Sequence, residues 1–338
     1  EPDRAAGDLV AALSAGADWP GRPKVLQLSG GRDSRLILGA ALAAGVDCEA
    51  VTAGTPEQPD VRVARRLCQE APLPHRLISA DPGSALYGRT REVARVVGLT
   101  SGGTTSLEHA SGYRIDPSAG ALPLWLNGQG GEIARARYGN ANGKPRDDLV
   151  PMLLAGVAGP ARLLANPGRE RLEREVRGAV EEALAAGVAP RDVPDVFYLL
   201  RRMSGWAAIG LGCGEYAKGD TIAPLWTRRL LDHELGLPLD ERAREGFPTA
   251  TLAALSPTLA RLPFGEYVRL LRPDSAQFAP VHAQVRDAVA AKAAHPAWEV
   301  LERSYVEEIL GREPRSLEEH EHRDVWRLAT VFLGEEPP

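Results

Sequence analysis

Apolar runs too short for a helix alternate with apolar residues at helical spacing through the first part of the chain. Val25-Leu26-Gln27-Leu28 predicts a strand over 25–28, followed by a helical pattern over 34–44. A strand over 48–53, a helix over 59–70, a strand over 75–78, a helix over 85–97 and a strand over 122–126 continue the series. Strands separated by single helices and short connections predict an α/β fold built on a doubly wound, mostly parallel sheet. Ligands of such folds bind at the carboxyl ends of the strands. From about 147 onward the pattern is helical, with helices expected over 148–155, 169–186, 192–211, 276–294 and 296–310. The expected organisation is therefore an α/β core over 1–146 and a mainly helical region over 147–338. Tyr138–Pro145, rich in Gly and Asn, reads as a loop or hinge between them. A further helical stretch over 5–13 precedes the first strand, and a chain opening inside such a pattern suggests a segment upstream.

The densest chemistry follows the first strand. Ser29-Gly30-Gly31-Arg32-Asp33-Ser34 places two glycines, two hydroxyls and an acid between a strand and a helix. Glycines let backbone N–H groups approach an oxyanion, Ser29 and Ser34 add donors, and the helix directs its positive end at the same point. Asp33 repels phosphate and so implies a bridging cation, most simply Mg²⁺. A loop without lysine is not a Walker motif, which disfavours γ-phosphoryl transfer. After the 122–126 strand, Asn127-Gly128-Gln129-Gly130-Gly131-Glu132 repeats the arrangement. Glu132 either shares the cation with Asp33 or simply stabilises a helix start. Thr52-Ala53-Gly54, at the end of the second strand, would line the same pocket.

Composition narrows the class. In a chain of 338 residues, a formal charge of −5 argues against a primarily electrostatic surface for nucleic acid. Cys48, Cys68 and Cys213 are scattered, forming neither a zinc motif nor a disulfide framework, and suit a reducing compartment. No apolar run reaches membrane-spanning length and no signal peptide is visible, so a cytoplasmic location is expected.

The first loop resembles the SGGxDS signature of the PP-loop ATP pyrophosphatases, which have a HUP-like α/β core. With the second loop, the stretch from Ala6 to Pro238 is similar to the synthetase domain of asparagine synthetase and its relatives, the β-lactam synthetases and lasso-peptide cyclases. Gly128, Gly130 and Glu132 match the family's GxGxDE-like segment, with Glu132 for the usual Asp and Ile133 for the usual Glu. Asp60 with Ala64 resembles the family's Asp-x-x-x-Ala helix start, and Ala223-Pro224-Leu225 with Leu231-Asp232 resembles its return to the pocket.

The resemblance implies an AMP-forming amide ligase. A carboxylate attacks the α-phosphorus of ATP, pyrophosphate leaves, and an amine then displaces AMP. Ser29, Gly30, Gly31 and Ser34 would hold pyrophosphate, with Gly128 and Gly130 beside them. Asp33 and Glu132 would hold Mg²⁺, and Leu28, Thr52 and Gly54 would contact the nucleotide. The implied partners are a carboxylate substrate, an amine acceptor or precursor peptide, and a separate glutaminase or leader-binding protein. No amino-terminal cysteine is present for glutamine hydrolysis. Arg35 replaces a second Ser as a bulky charged neighbour of the loop. The family's late lysine has no clear counterpart among Lys24, Lys144, Lys218 and Lys292; Lys218 is the best placed.

Arg201 and Arg202, in an apolar helical pattern, would reach phosphate or substrate, or else cap a surface helix. Tyr216 with Glu215 is a weak candidate proton-shuttling pair. His109, behind Gly102-Gly103, marks either an acceptor loop or an ordinary turn. His320-Glu321-His322 reads as a solvated charged face, because helical positions two apart diverge. Two other classes stay open: a PP-loop enzyme adenylating a nucleobase, and a degenerate synthetase fold that binds a partner.

Overall fold

The computed structural model describes residues 1–17, 19, 21–79, 122–136, 146–157, 162–207, 219–265 and 275–334. The chain begins with α1 (Pro2–Ala17), β1 (Lys24–Gln27), α2 (Arg32–Ala43), β2 (Glu49–Gly54), α3 (Pro59–Glu70) and β3 (His75–Ser79). β4 (Leu124–Leu126) precedes α4 (Arg146–Val157), α5 (Asn166–Ala185) and α6 (Val193–Phe197), which passes directly into a π-helical segment, Tyr198–Ala207. After β5 (Thr221–Ile222) come α7 (Arg228–Leu235), α8 (Leu239–Ala243), α9 (Gly246–Leu255) and α10 (Pro257–Ala260). Finally come α11 (Ser275–Ala291), α12 (Arg303–Gly311) and α13 (Glu319–Leu333). The helix expected over 85–97 and the 138–145 hinge lie outside the described residues.

Two compact units form. The first comprises Glu1–Ala80, Ile115–Asn142 and Glu215–Leu270; the second comprises Asp81–Arg114, Gly143–Gly214 and Leu271–Pro338. In the first unit the five strands form one sheet of order β3-β2-β1-β4-β5, and every pair is parallel. This is the expected α/β architecture. Leu26 pairs in register with Ala50 on one side and Leu126 on the other, and all three are buried. Val25 and Leu26 point to opposite faces of the sheet and are both buried, so the centre of β1 has no solvent side, while Gln27 at its carboxyl end is exposed.

Helix α1 places Ala5, Leu9 and Leu13 one above another at four-residue spacing, and all are fully buried. That stripe packs against α2 and α9. Helix α2 ends where Gly45, at φ 65°, lets Val46 N–H reach the Ala41 carbonyl (2.9 Å). Leu26 is fully buried at the centre of this core. Leu26→Ala is expected to cost about 2–5 kcal/mol in urea unfolding, because a central strand cannot collapse into the cavity left behind. A loss below about 1 kcal/mol would mean the core is not packed as described.

The second unit holds two helical clusters. Leu149, Val176, Val180 and Val193 join α4, α5 and α6. Phe278, Tyr305, Trp326 and Phe332 are buried on α11, α12 and α13. The helix expected over 296–310 is broken. Residues 300–302 spend backbone groups on 163–165, with Ala165 N–H donating to Val300 O (3.0 Å) and Glu302 N–H to Leu163 O (2.9 Å). The 320–322 stretch is not a solvated face. Glu321 is buried, accepts from the Glu318 N–H (2.7 Å) as a capping box, and pairs with Arg312 (2.7 Å). His322 lies against the Phe278 ring, centroids 4.3 Å apart. Among the described residues no helix is long and apolar enough to cross a membrane.

Candidate functional site

Strand β1 lies between β2 and β4, so the chain leaves it in one direction for β2 and β3 and reaches β4 on its other flank. Chain order reverses there, and open parallel sheets bind ligands at such a crevice, outside the carboxyl ends of the strands. Both glycine loops emerge at this point, one after β1 and one after β4.

The first loop is anchored before it turns. Leu28, buried in the core, donates its N–H to Val51 O (2.9 Å), and Thr52 Oγ1 donates to Leu28 O (2.8 Å). That donation uses the single hydroxyl proton of Thr52, so His75 Nε2, at 2.9 Å, must carry the hydrogen for their bond. Burial, reinforced by Arg65, lowers the His75 pKa and favours this neutral imidazole. Gly54 closes the same strand at φ 152°.

The loop then folds on its own hydroxyls. Ser29 N–H donates to Ser34 Oγ (3.1 Å), Gly31 N–H donates to Ser29 Oγ (3.1 Å), and the two Oγ atoms lie 3.0 Å apart. Gly30 N–H donates to Asp60 Oδ1 (3.0 Å). Burial raises the Asp60 pKa, and that N–H bond opposes the shift. Thus three loop N–H groups are bonded to protein oxygens.

Arg35 is not a neighbour of the cradle in the sense the sequence suggests. It is fully buried and donates to the carbonyls of Leu259 (3.1 Å), Leu262 (2.7 Å), Pro263 (2.7 Å) and Gly30 (3.3 Å). Its guanidinium lies 4.3 Å from the Phe264 ring centroid, and Arg32 lies 4.4 Å from that ring. Gly265 N–H completes the attachment to Gly30 O (2.9 Å). Arg32, about one-third exposed, also pairs with Glu245 (2.9 Å), a residue held at φ 55°.

The second loop lies directly on the first. A Cβ on Gly128 would stand 2.7 Å from the backbone carbon of Asp33 and the nitrogen of Ser34. Gly130, at φ 109°, turns its α-carbon into the indole of Trp226. Gly128→Ala is therefore expected to cost about 1–3 kcal/mol by overpacking against backbone that cannot yield. Unchanged stability in urea unfolding would mean the loops are not in contact.

The two acids meet. Asp33 Oδ2 accepts from Arg135 Nη2 (2.7 Å), and Arg135 Nε donates to Gly131 O (3.1 Å). Burial raises the Asp33 pKa to about 6; Arg135 opposes the shift and Glu132 adds to it. Asp33 Oδ1 and Glu132 Oε2 are buried without a hydrogen-bond partner. Glu132 makes no side-chain capping bond to the short turn Ile133–Arg135, so the helix-capping alternative has no support here. Two carboxylates, each with an unpartnered oxygen, form a donor set suited to Mg²⁺, which takes one or two protein carboxylates and completes its shell with phosphates and water. No group of three or more acids, histidines or cysteines among the described residues could hold a metal by itself.

Of the other candidates, Arg201 belongs to the second unit, where it is exposed and pairs with Glu182 (2.8 Å). Lys218, Tyr216, Glu215, His109 and Cys213 lie outside the described residues. Several residues that the sequence reading passed over sit beside the acids. Arg135 is the ion-pair partner of Asp33, and Glu234 is buried with its pKa raised well above normal. Burial causes the Glu234 shift first and Asp33 second, while Arg242 opposes it. No spacing rule marks these groups, because their partners lie about a hundred or more positions away. No protein-family model matches the chain, and none of the curated proteins matches it significantly.

Proposed function

We propose that this chain activates a carboxylate with ATP, releasing pyrophosphate, and passes the acyl group to an amine. The observation that carries the reading is the meeting of Asp33 and Glu132, on glycine loops at the switch point of a parallel sheet. The resemblance to asparagine synthetase-type domains names the same two loops. Ser29, Gly30, Gly31 and Ser34 would bind the β- and γ-phosphates, exchanging their internal bonds for bonds to phosphate oxygens. Asp33 and Glu132 would hold Mg²⁺, which when bound neutralises the charge of the departing pyrophosphate. Arg32, on the first loop itself and partly exposed, would supply the positive charge that a lysine gives in related enzymes.

In the first step a substrate carboxylate oxygen bonds to the α-phosphorus as the bond from that phosphorus to the bridging oxygen breaks. In the second, an amine attacks the acyl carbon and AMP leaves with the bonding pair. The protein's contribution is position and charge. Pyrophosphate exchange into ATP, screened against carboxylic acids and a precursor peptide, tests this. Acid-dependent exchange is the expected result; formation of ADP overturns it.

A second reading has its own support in the loop N–H groups already bonded to protein oxygens. A loop that keeps those bonds belongs to a silent, synthetase-like module that docks a partner. Calorimetric titration with a non-hydrolysable ATP analogue and Mg²⁺ separates the two, because the silent module takes up no heat-producing ligand.

A further inference from the structure

Where the two glycine loops meet lies a cavity of about 10 Å³ lined by Asp33, Gly131, Glu234 and Thr251 together with apolar side chains that include Leu9 and Phe247. Each of the three polar residues brings an oxygen that is buried and lacks a hydrogen-bond partner: Asp33 Oδ1, Glu234 Oε2 and Thr251 Oγ1. Glu234 and Thr251 are each only 2% exposed. A buried oxygen without a partner has given up the hydrogen bonds that bulk water supplied, and three of them line this one void. The void has the volume of a single water, and water is the ligand whose donors and acceptors fit the set.

We infer that the cavity is a built site for one ordered water molecule, held by Asp33 Oδ1, Glu234 Oε2 and Thr251 Oγ1. The hydrogen bonds balance. Thr251 donates its hydroxyl proton to the water, and the water donates its two protons to Asp33 and Glu234. Asp33 is then held by Arg135 on Oδ2 and by the water on one lone pair of Oδ1, and the other lone pair of Oδ1 stays open to a metal. Glu234 and Thr251 are thereby positioning residues for Asp33. This consequence rests on the proposed role of Asp33 with Mg²⁺, whereas the water site itself does not.

A high-resolution crystal structure of the full chain, alone and as Thr251→Val and Thr251→Ser, decides the matter. The expected density is one water about 2.7–3.2 Å from all three oxygens in the parent and in T251S, and none in T251V. A dry cavity in the parent, direct bonds among the three side chains, or a metal ion in the void overturns the inference. Calorimetry with Mg²⁺ and a non-hydrolysable ATP analogue then tests the positioning role. T251V should bind about 10-fold more weakly, while T251S restores the parent affinity. Equal weakening in both, or none in either, overturns the positioning role. A parent that binds no nucleotide but holds the water defeats the proposed function and leaves the water site standing.

Discussion

Asp33→Asn is expected to lower the proposed adenylation about 10²–10³-fold while leaving the protein more stable above pH 6. The carboxyl of Asp33 is held near pKa 6 chiefly by burial, and the Arg135 ion pair offsets only part of that penalty. A carboxyl whose pKa is raised in the fold is at its most favourable below the unfolded value, near pH 4, where both states bind the proton. Its contribution falls as pH rises to 6 and stays unfavourable above, by about 3 kcal/mol. That penalty already contains the attraction of Arg135, whose side chain is 15% exposed. Asparagine resembles the protonated carboxyl, so D33N should gain about 3 kcal/mol at pH 8 relative to pH 4. Urea unfolding at the two pH values measures it. In the parent, magnesium–nucleotide affinity should climb as pH rises through 6, because the metal needs the ionised carboxylate. D33N should lose that slope. A variant destabilised equally at both pH values would mark Asp33 as a structural ion-pair partner, and the functional proposal would lose its main support.

Arg35→Met is expected to cost 4 kcal/mol or more, about the scale of broken buried networks. The guanidinium is fully buried and donates to four carbonyls while stacking on Phe264. Hydrogen bonds from a charged donor contribute about 1.5–3 kcal/mol each, and the carbonyls of Leu259, Leu262 and Pro263 would lose a buried donor together. Burial lowers the Arg35 pKa to about 10, which still leaves it charged at neutral pH. Arg35→Lys should recover about half the loss, since one ammonium cannot reach both sides of a planar fork. Urea midpoints of the three proteins give the comparison. A cost under 1 kcal/mol for R35M would refute the anchoring role.

Arg35 shows how unevenly the site could be read. The loop Ser29–Ser34 was legible because its composition is local: glycines, hydroxyls and an acid between an apolar strand and an apolar helix. Arg35, one position on, looked like a burden on the cradle, yet three of its four acceptors lie more than 220 residues away in sequence. Glu321 failed for a different reason. Its neighbours are charged, and only the cap geometry at the start of α13 shows that it turns back on its own backbone. The two-residue β5 has no period to detect, and its strand identity comes wholly from its place beside β4.

Sequence alone determined the succession of parallel strands and helices, and the presence of two acid-bearing glycine turns, because apolar periodicity and turn chemistry act over a few neighbouring residues. Tertiary structure decided that the two turns touch, that Arg135 rather than a lysine faces Asp33, and that Glu234 is buried beneath them. Those contacts depend on the strand order, which sets β4 against β1 across about a hundred residues of chain. Local patterns do not encode that order.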